Sequence, residues 1–449
     1  MKLDTPKNKE NNLEYTVNWK TKSIKSLCLK VTSGGTPSRK NPSFYEEGTI
    51  PWLKTKELKD WYIDDSEEKI TLEALNNSSA KIFPQNTVLM AMYGDGKTIT
   101  SLGILRNEAA TNQACCALIT NSEVCDHLFL FYSLKFHRQD FISMASGGSQ
   151  RNLNGQLISN FTIKVPPLET QQKIVSILSN YDDLIENNTR RIEILERMTK
   201  LVYEEWFVKF RFPGHEKVKI IDGVPDGWKI KKIGNIFTVV LGGTPSRKKE
   251  DYWNGNIPWI NSGKVNELRI INESEGITEL GLKKSATKMM PVRTTVLAIT
   301  GATLGQISLT EIEVCANQSV VGIYDEKRIY SEYIFLKIKE IINEVILKAG
   351  GGAQQHINKE IINETEVIIP PENVVEEFNS FIMSIFNQIS ILLFKNQNLR
   401  KTRDLLLPKL ISGEIDVSDL DIRIKNEYQE RNFNFGEPQD EKGFRVKMV

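Results

Sequence analysis

The feature that most constrains this chain is a long internal repeat. The segment G-G-T-P-S-R-K occupies residues 34–40 and returns 208 positions later at residues 242–248. Shorter matches follow in the same order: I-P-W at 50–52 and 257–259, T-V-L at 87–89 and 295–297, N-Q at 112–113 and 317–318, and a Pro-Pro pair at 166–167 and 370–371. A seven-residue identity with a preserved order is not expected by chance, so the chain contains two copies of one structural unit.

Each copy is predicted to be an α+β domain. A chain of 449 residues is too long for a single hydrophobic core, and two or three domains are expected. Residues 87–92 and 295–300 are short apolar runs with β-branched members, and they lie between Gly, Pro and Asn turn signals. Such runs are typical of buried strands, and after each Pro-Pro pair the pattern changes from strand-like to helix-like.

Two long helices follow the Pro-Pro pairs. Their apolar positions alternate spacings of four and three, which is the pattern of a coiled-coil seam. At about 1.5 Å per residue, each seam is roughly 50 Å long and needs a partner along its length. The seam positions are Ile174, Leu178, Tyr181, Ile185, Asn188, Ile192, Leu195, Thr199, Val202 and Trp206 in the first helix, and Phe378, Ile382, Ile385, Ile389, Leu392, Asn396, Leu399, Arg403, Leu406 and Leu410 in the second.

The order domain, helix, domain, helix predicts that the two helices pair antiparallel, with the domains related by an approximate two-fold axis. Matching the seams end to end gives facing positions whose numbers sum to 584, as for 174 with 410. This register places Asn188 opposite Asn396, where a buried amide pair would fix the alignment. It also places Tyr181 opposite Arg403, where the guanidinium could lie on the ring. The alternative for each asparagine is that it faces a local gap or water.

Composition excludes several other classes of protein. The five cysteines and four histidines show no metal-ligand spacing and no disulfide framework. Residues 1–12 are hydrophilic, and the most apolar run, 382–394, is interrupted by Asn387 and Gln388, so we expect a cytoplasmic protein without membrane contact. The net charge of +1 does not indicate nucleic-acid binding, and any DNA contact must come from local clusters of lysine and arginine.

With these motifs the chain resembles the specificity subunit of type I restriction-modification systems. The resemblance covers roughly residues 19–416 and also includes G-A-T-L-G at 301–305, P-P-L-E-T-Q-Q at 166–172, W-F-V-K-F at 206–210 and L-L-P-K-L-I-S-G-E-I at 406–415. The sequence departs from the family at Glu372 and Asn373. The resemblance implies two target-recognition domains at 19–167 and 224–371, a central helical region at 168–212 and a C-terminal helical region at 372–415. The charged tail at 416–449 has no family role that we can assign.

The resemblance also implies partners. The specificity subunit would bind a bipartite double-stranded DNA target together with two modification subunits, which carry S-adenosylmethionine and the methyl-transfer chemistry. Restriction subunits could then join for cleavage. For this chain itself the resemblance implies no catalytic residue, no cofactor and no metal.

The candidate DNA-contacting residues lie in three kinds of segment. The repeated turns combine hydroxyl groups with two cations and suit phosphate oxygens, whereas base readout is expected where the repeats diverge, at 54–70 and 261–277. The glycine-rich loops at 146–154 and 350–358 lack the lysine of a phosphate-binding loop and could instead be flexible turns. The candidates are Thr36, Ser38, Arg39, Lys40, Thr244, Ser246, Arg247 and Lys248 in the turns, Lys54, Lys56, Asn261 and Lys264 in the divergent segments, and Gln150, Arg151, Gln354 and Gln355 in the loops.

Two other functions compete with this interpretation. A self-contained methyltransferase or nuclease would need a cofactor-binding domain, but the two repeats take up nearly all of the chain. The N-P-S-F segment at 41–44 is reminiscent of a methyltransferase motif, but it lacks the second proline and has no counterpart in the other repeat. A coiled-coil scaffold without a DNA role is the second alternative.

Overall fold

The computed structural model describes residues 19–94, 98–146, 152–348 and 356–424. These residues form two compact units. The first contains residues 19–184 and 399–424, and the second contains residues 185–398. Each unit therefore combines one copy of the repeat with a segment of each long helix.

The first unit contains two sheets and a two-stranded ribbon. A five-stranded sheet has the order β2-β10-β7-β8-β4, a four-stranded sheet has the order β5-β3-β9-β6, and β1 pairs with β11. The strands are β1 Lys20–Ser23, β2 Cys28–Ser33, β3 Ile50–Leu53, β4 Tyr62–Ile63, β5 Lys69–Ile70, β6 Ile82–Phe83, β7 Val88–Ala91, β8 Leu102–Leu105, β9 Ala109–Thr111, β10 Cys115–Thr120 and β11 Thr162–Val165.

The second unit repeats this topology. Its five-stranded sheet has the order β15-β22-β19-β20-β17, which matches the first unit strand for strand. A three-stranded sheet, β18-β16-β21, takes the place of the four-stranded one, and β14 pairs with β23. The strands are β12 Ile220–Ile221, β13 Val224–Pro225, β14 Lys229–Lys232, β15 Thr238–Leu241, β16 Trp253–Ile260, β17 Arg269–Ile270, β18 Glu275–Ile277, β19 Thr295–Ala298, β20 Ile307–Thr310, β21 Cys315–Ala316, β22 Val320–Tyr324 and β23 Glu366–Ile369.

The predicted apolar runs form the central strands of the five-stranded sheets. Every residue of β7 and of β19 is buried. Each of these strands has antiparallel neighbours on both sides, so its backbone hydrogen bonds are satisfied and both of its faces are covered. The α+β prediction agrees with this mixture of sheets and helices.

The helices pack against these sheets and against each other. The helices are α1 Ile24–Leu27, α2 Leu72–Asn76, α3 His127–Phe136, α4 Arg138–Ser146, α5 Gly155–Asn160, α6 Leu168–Tyr203, α7 Glu279–Lys283, α8 Ser331–Lys348, α9 Lys359–Glu364 and α10 Glu372–Ser412. Short 3-10 turns occupy Pro42–Phe44, Thr55–Glu57, His215–Lys217, Ile233–Asn235, Glu250–Tyr252, Lys264–Asn266 and Gly301–Thr303. After α6, the chain continues in a π-helical turn at Glu204–Val208.

Helices α6 and α10 pair within each unit in the predicted antiparallel register. In the first unit Ile174 and Leu178 share a buried cluster with Leu407 and Leu410. In the second unit the rings of Trp206 and Phe378 lie 5.6 Å apart, and these two positions sum to 584. By length and composition alone α10 could cross a membrane, with a mean hydropathy of 1.2 in its most apolar window. Its apolar stripe contributes to the buried clusters of both units.

The segment after α10 folds back onto the start of α6 within the first unit. Val417 is buried in the main cluster of that unit. The Lys173 ammonium group donates a hydrogen bond of 2.7 Å to the carbonyl oxygen of Ser418. The predicted charged tail therefore begins with residues that pack against the domain, and the part from 425 onward lies outside the described residues.

Candidate DNA-recognition surface

The two glycines of each repeated turn are required by close backbone contact. A Cβ atom on Gly34 would lie 2.0 Å from the carbonyl oxygen of Thr111, and one on Gly242 would lie 2.1 Å from that of Asn317. Both distances are far below van der Waals contact. The turn can approach the neighbouring strand this closely only with glycine at these positions.

The other repeated motifs bond to the same turn. The indole of Trp52 donates to the carbonyl oxygen of Gly35 at 2.9 Å, and that of Trp259 donates to Gly243 at 3.1 Å. The hydroxyl groups of the turn threonines donate to the glutamine of each Asn-Gln pair. We call these residues the signature cluster, which comprises Gly35, Thr36, Arg39, Trp52 and Gln113 in the first unit and Gly243, Thr244, Arg247, Trp259 and Gln318 in the second.

The arginine of each cluster forms an ion pair inside its own domain. Arg39 contacts Glu68 at 2.5 Å, and Arg247 makes two bonds to Glu275 at 2.6 and 2.7 Å. The guanidinium carbon of Arg247 lies 3.6 Å from the centroid of the Trp253 ring, a cation–π contact. The hydrogen bonds from Arg247 lower the pKa of Glu275.

The lysine after each arginine has no such partner. Lys40 and Lys248 are exposed, and within the described ranges no acidic group pairs with either side chain. Ser38 and Ser246 are exposed beside them. In each turn the arginine is thus ion-paired within its own domain and the lysine is not, and phosphate contact by the two cations stays a prediction.

The divergent segments carry their own ion pairs. Lys54 contacts Glu68 at 2.5 Å, and Lys56 contacts Glu67 at 2.5 Å. In the second unit Lys264 contacts Glu267 at 2.7 Å, while the Asn261 side chain accepts a bond from the Lys264 backbone. The Lys56–Glu67 pair is more than half exposed, so it contributes little to stability and its lysine remains available to an anionic ligand.

The glycine-rich loops are anchored in the same way in both units. The Leu153 amide donates to the carbonyl oxygen of Met92 at 3.1 Å, and the Ile357 amide donates to that of Ile299 at 3.0 Å. Both anchoring side chains are fully buried. The candidate residues Gln150, Arg151, Gln354 and Gln355 lie outside the described residues.

The asparagines of the helix pair face each other inside the second unit. The Asn188 amide donates to the side-chain oxygen of Asn396 at 2.8 Å, and both residues are buried. The Asn396 amide also donates to the carbonyl oxygen of Ile185 and to the hydroxyl group of Thr189, both at 3.3 Å. The apolar residues Ile192, Ile389 and Leu392 form a cluster in the same stretch of the helix pair. The facing position predicted from the seam is confirmed, and neither asparagine faces an unfilled gap.

The predicted stacking of Arg403 on Tyr181 was wrong. The Arg403 guanidinium instead bonds to the carboxylate of Asp182, the next residue of α6, and to Asp404. Asp182 is buried and also accepts a bond of 2.7 Å from Tyr132. A buried carboxylate needs a cation much more than an aromatic ring does, so the ion pair forms in place of the ring contact.

The acidic partners of the signature arginines were missed in the sequence. Glu68 and Glu275 follow their arginines by 29 and 28 positions, and this near-equal spacing in the two repeats is the signal that could have found them. No group of His, Cys, Asp and Glu among the described residues could hold a metal ion.

Comparison with known proteins places this architecture in a family. Residues 16–197 and 225–400 match the type I restriction modification DNA specificity domain, and the chain belongs to that family. It is 28% identical to the MjaIX specificity subunit of Methanocaldococcus jannaschii, over 90% of this chain and 94% of that protein. It is 24% identical to the HindI specificity subunit of Haemophilus influenzae, over 61% and 73% of the two chains.

A solved structure shows the same fold. The crystal structure of a type I restriction-modification system S subunit from M. genitalium aligns with a TM-score of 0.58 and 16% identity. The alignment covers 89% of this chain and 97% of that one. The chain is thus a DNA-specificity subunit, a protein that recognises DNA and is not itself an enzyme.

Proposed function

We propose that each unit reads one half of a bipartite duplex target, and that the helix pair sets the spacing between the halves. The observation that carries this proposal is the duplicated signature cluster, in which each unit holds an identical turn through identical bonds. Identical turns can contact DNA backbone in the same way, but they cannot distinguish two different half-sites. Sequence discrimination is therefore assigned to the segments that differ between the units.

Within this proposal the candidate residues fall into two groups. Lys40 and Lys248, with the hydroxyl groups beside them, contact phosphate oxygens. Lys54, Lys56, Asn261 and Lys264 lie in the divergent segments and take part in base readout. The exposed Lys56 can exchange its carboxylate partner for a phosphate at small cost, because surface ion pairs contribute at most about 1 kcal/mol.

Membership of the family supports the partners in this proposal. Two modification subunits bind this chain in the cytoplasm, and restriction subunits join them. S-adenosylmethionine is bound by the modification subunits and not by this chain. The duplication of the repeat supports two identical partners, because each repeat presents a related surface. The two repeats would lie on an antiparallel helix pair whose register is fixed by Asn188 and Asn396.

A gel-shift and methylation assay tests the proposal. The purified chain is mixed with duplex DNA carrying the methylated site mapped in the host genome, with and without the modification subunits. We expect specific binding that the modification subunits strengthen, and methylation only when they are present. Methylation by the chain alone would identify a self-contained enzyme, and failure to bind in either mixture would identify a scaffold.

A further inference from the structure

A fully buried arginine attaches the second domain to the helix pair. Arg269 lies at the start of β17, and none of its side chain is exposed. Its guanidinium contacts Glu196 of α6 at 2.5 Å and lies 4.7 Å from the ring centroid of Phe386 on α10. Burial lowers the pKa of Arg269, and the Glu196 carboxylate opposes that effect.

The charges around Arg269 come mainly from its own domain. Arg293 and Glu311 approach to 3.5 Å, and Glu311 also lies 3.7 Å from Arg269. Glu332 completes the group at 3.9 Å from Arg293. These two arginines and two glutamates balance each other, and Lys339 lies 3.9 Å from Glu196. The domain therefore presents one further positive charge, that of Lys339. The Glu196 carboxylate of α6 neutralises it.

The first domain is attached by different chemistry. The Tyr132 hydroxyl group donates to the Asp182 carboxylate at 2.7 Å, and Arg403 of α10 bonds to the other carboxylate oxygen. Lys135 lies partly buried beside them, and its desolvation lowers its pKa. Arg400 lies within electrostatic reach of Asp182 and Arg403. Here the helices supply the anion and two cations, and the domain supplies the Tyr132 hydroxyl group and the Lys135 ammonium group.

These two sets of helix residues occupy equivalent positions of the repeat. At the offset of 204 residues that relates the two seams, Asp182 corresponds to Phe386, Glu196 to Arg400 and Thr199 to Arg403. We call Asp182, Arg400 and Arg403 the first contact site, and Glu196, Thr199 and Phe386 the second contact site. Equivalent positions therefore carry different charges.

The domain sides differ at equivalent positions too. In the parallel pair β4–β8 of the first domain, Tyr62 is the register partner of Ile104. In the equivalent pair β17–β20 of the second domain, Arg269 is the register partner of Leu309. The first domain therefore has a tyrosine where the second has its buried arginine. In α3 and α8, Tyr132 corresponds to Leu336 at the 204-residue offset.

We propose that the two contact sites restrict each domain to its own position in the chain, and so fix the order of the two half-sites. In the second site, the first domain would place its Tyr132 hydroxyl group against a phenylalanine and leave Glu196 without its arginine. In the first site, the second domain would bring Arg269 beside Arg400 and Arg403. One exchange loses the Arg269–Glu196 ion pair and the other brings three cations together, so both exchanges are disfavoured. This inference rests on the proposed function only for the meaning of half-site order.

Charge inversion tests the Arg269–Glu196 pair. Arg269→Glu and Glu196→Arg should each lower the melting temperature by roughly 5 °C or more, and the double variant should recover at least half of that loss. The matched control is Lys232→Glu at the Lys232–Glu364 pair, which is about half exposed in the same unit. It should shift melting by only about 1–2 °C. Single variants that melt like the parent chain, or a double variant that loses the sum of both effects, would overturn the assignment.

A chain with two copies of the first domain tests whether each contact site accepts only its own domain. Residues 228–371 are replaced by a copy of residues 19–167, once with the second contact site intact and once with Glu196→Arg, Thr199→Arg and Phe386→Asp, which recreate the first contact site. We expect the chain with the intact site to melt about 5 °C or more below the chain with the exchanged site. Equal melting of the two chains would contradict the proposal.

The DNA readout separates this inference from the proposed function. Only the chain with the exchanged site should bind a duplex in which the first half-site is present twice, tested with the mapped site rearranged accordingly. The exchanged site could restore the melting temperature while neither chain binds this duplex. That result would support the role of the contact sites and contradict the proposal that each unit reads one half-site. If both chains bind it equally, the contact sites do not govern half-site order.

Discussion

At the scale of single residues, Trp259 combines a hydrogen bond to the backbone with a cation–π contact. Its indole nitrogen donates to the carbonyl oxygen of Gly243, and its ring lies 5.3 Å from the guanidinium carbon of Arg247. A tryptophan supplies a large apolar surface and one donor, which suits a position between a buried backbone and an exposed cation. Arg247 is thereby held over the rings of Trp253 and Trp259, and its guanidinium group bonds to Glu275.

The lysines and arginines of the turns should respond differently to mutation. Lys40→Ala and Lys248→Ala should each weaken DNA binding about equally for all sequences, and should reduce the salt slope of the binding constant by roughly one unit. Arg247→Ala should leave that slope unchanged and lower stability by about 1 kcal/mol, because it removes a ring contact and an exposed ion pair. Binding titrations at several salt concentrations measure both effects. An unchanged slope in the lysine variants would argue against phosphate contact there.

The Glu275 carboxylate predicts a pH dependence. Its pKa in the folded chain is lowered by Arg247, so its ionised form stabilises the fold. That contribution is present above the pKa of the unfolded chain, about 4.3, and is lost as the pH falls through the lowered folded value. Melting of the parent chain and of Glu275→Gln should therefore differ near pH 7 and converge at acidic pH. The exposed neighbour Glu273→Gln is the control and should show no such convergence.

Single-residue contacts were only partly predictable from sequence. The turn glycines and threonines were found as a repeat, but their partners lie 77 residues away for Thr36 and 74 for Thr244. Local spacing carries no information about such distant contacts. The predicted Tyr181–Arg403 contact failed for a related reason. The seam spacing predicts which positions face each other, but it does not include Asp182, which lies beside the seam. The buried Asp182 carboxylate pairs with Arg403 in place of the Tyr181 ring.

At the scale of elements, the helix pair was predictable because its register depends on periodicity alone. A four-three spacing of apolar residues fixes which side of each helix is covered, and the antiparallel direction follows from the chain order. The observed Asn188–Asn396 bond lies at the predicted position. What the spacing did not indicate is that each helix is shared between two compact units, with the division at residues 184/185 and 398/399. That division depends on which domain each stretch contacts.

The asparagine pair should act as one unit. Asn188→Leu alone should destabilise the chain by about 1–3 kcal/mol, because the buried Asn396 amide loses its partner. Asn188→Leu combined with Asn396→Leu should recover that stability or exceed it, since an apolar seam needs no amide bond. Chemical denaturation of the three variants measures the difference.

The exposed neighbour Asn187→Leu is the matched control for this pair, and it should change stability by less than about 0.5 kcal/mol. We also expect the single variant Asn188→Leu to relax the preferred spacer length of the target, because the register of the helices is then less strongly specified. Additive losses in the double variant would show that the two amides do not depend on each other.

At the scale of the whole molecule, recognition should divide between the two copies of the repeat. Replacing residues 19–166 with the matching domain of a relative should change one half of the target, and should leave the other half and the spacer length unchanged. The exchange leaves Asp182, Arg400 and Arg403 of the first contact site unchanged. The incoming domain therefore meets the same charges on the helices as the domain that it replaces. Mapping of methylated sites in cells that carry the hybrid subunit measures the outcome, and a change in both halves would refute the modular interpretation.

The architecture of the whole molecule could be read from the repeat, but the recognition residues could not. A duplicated sequence fixes two related domains and their order, whatever their contacts are. Base readout depends on which side chains of 54–70 and 261–277 reach a groove, and four of the other candidates lie in loops outside the described residues. Periodicity and motif spacing describe the interior of a domain and give little information about its exposed loops.

The bonds of the signature cluster have a consequence for how such proteins diversify. The indole and threonine bonds end on a backbone carbonyl and on a glutamine present in both halves, and only Glu68 and Glu275 belong to the segments that differ. Mutations elsewhere in those segments leave the supporting bonds intact. A lineage can thus accumulate changes in the readout loops without losing foldability, and after an ancestral duplication each copy is free to evolve its own preference while both retain one shape.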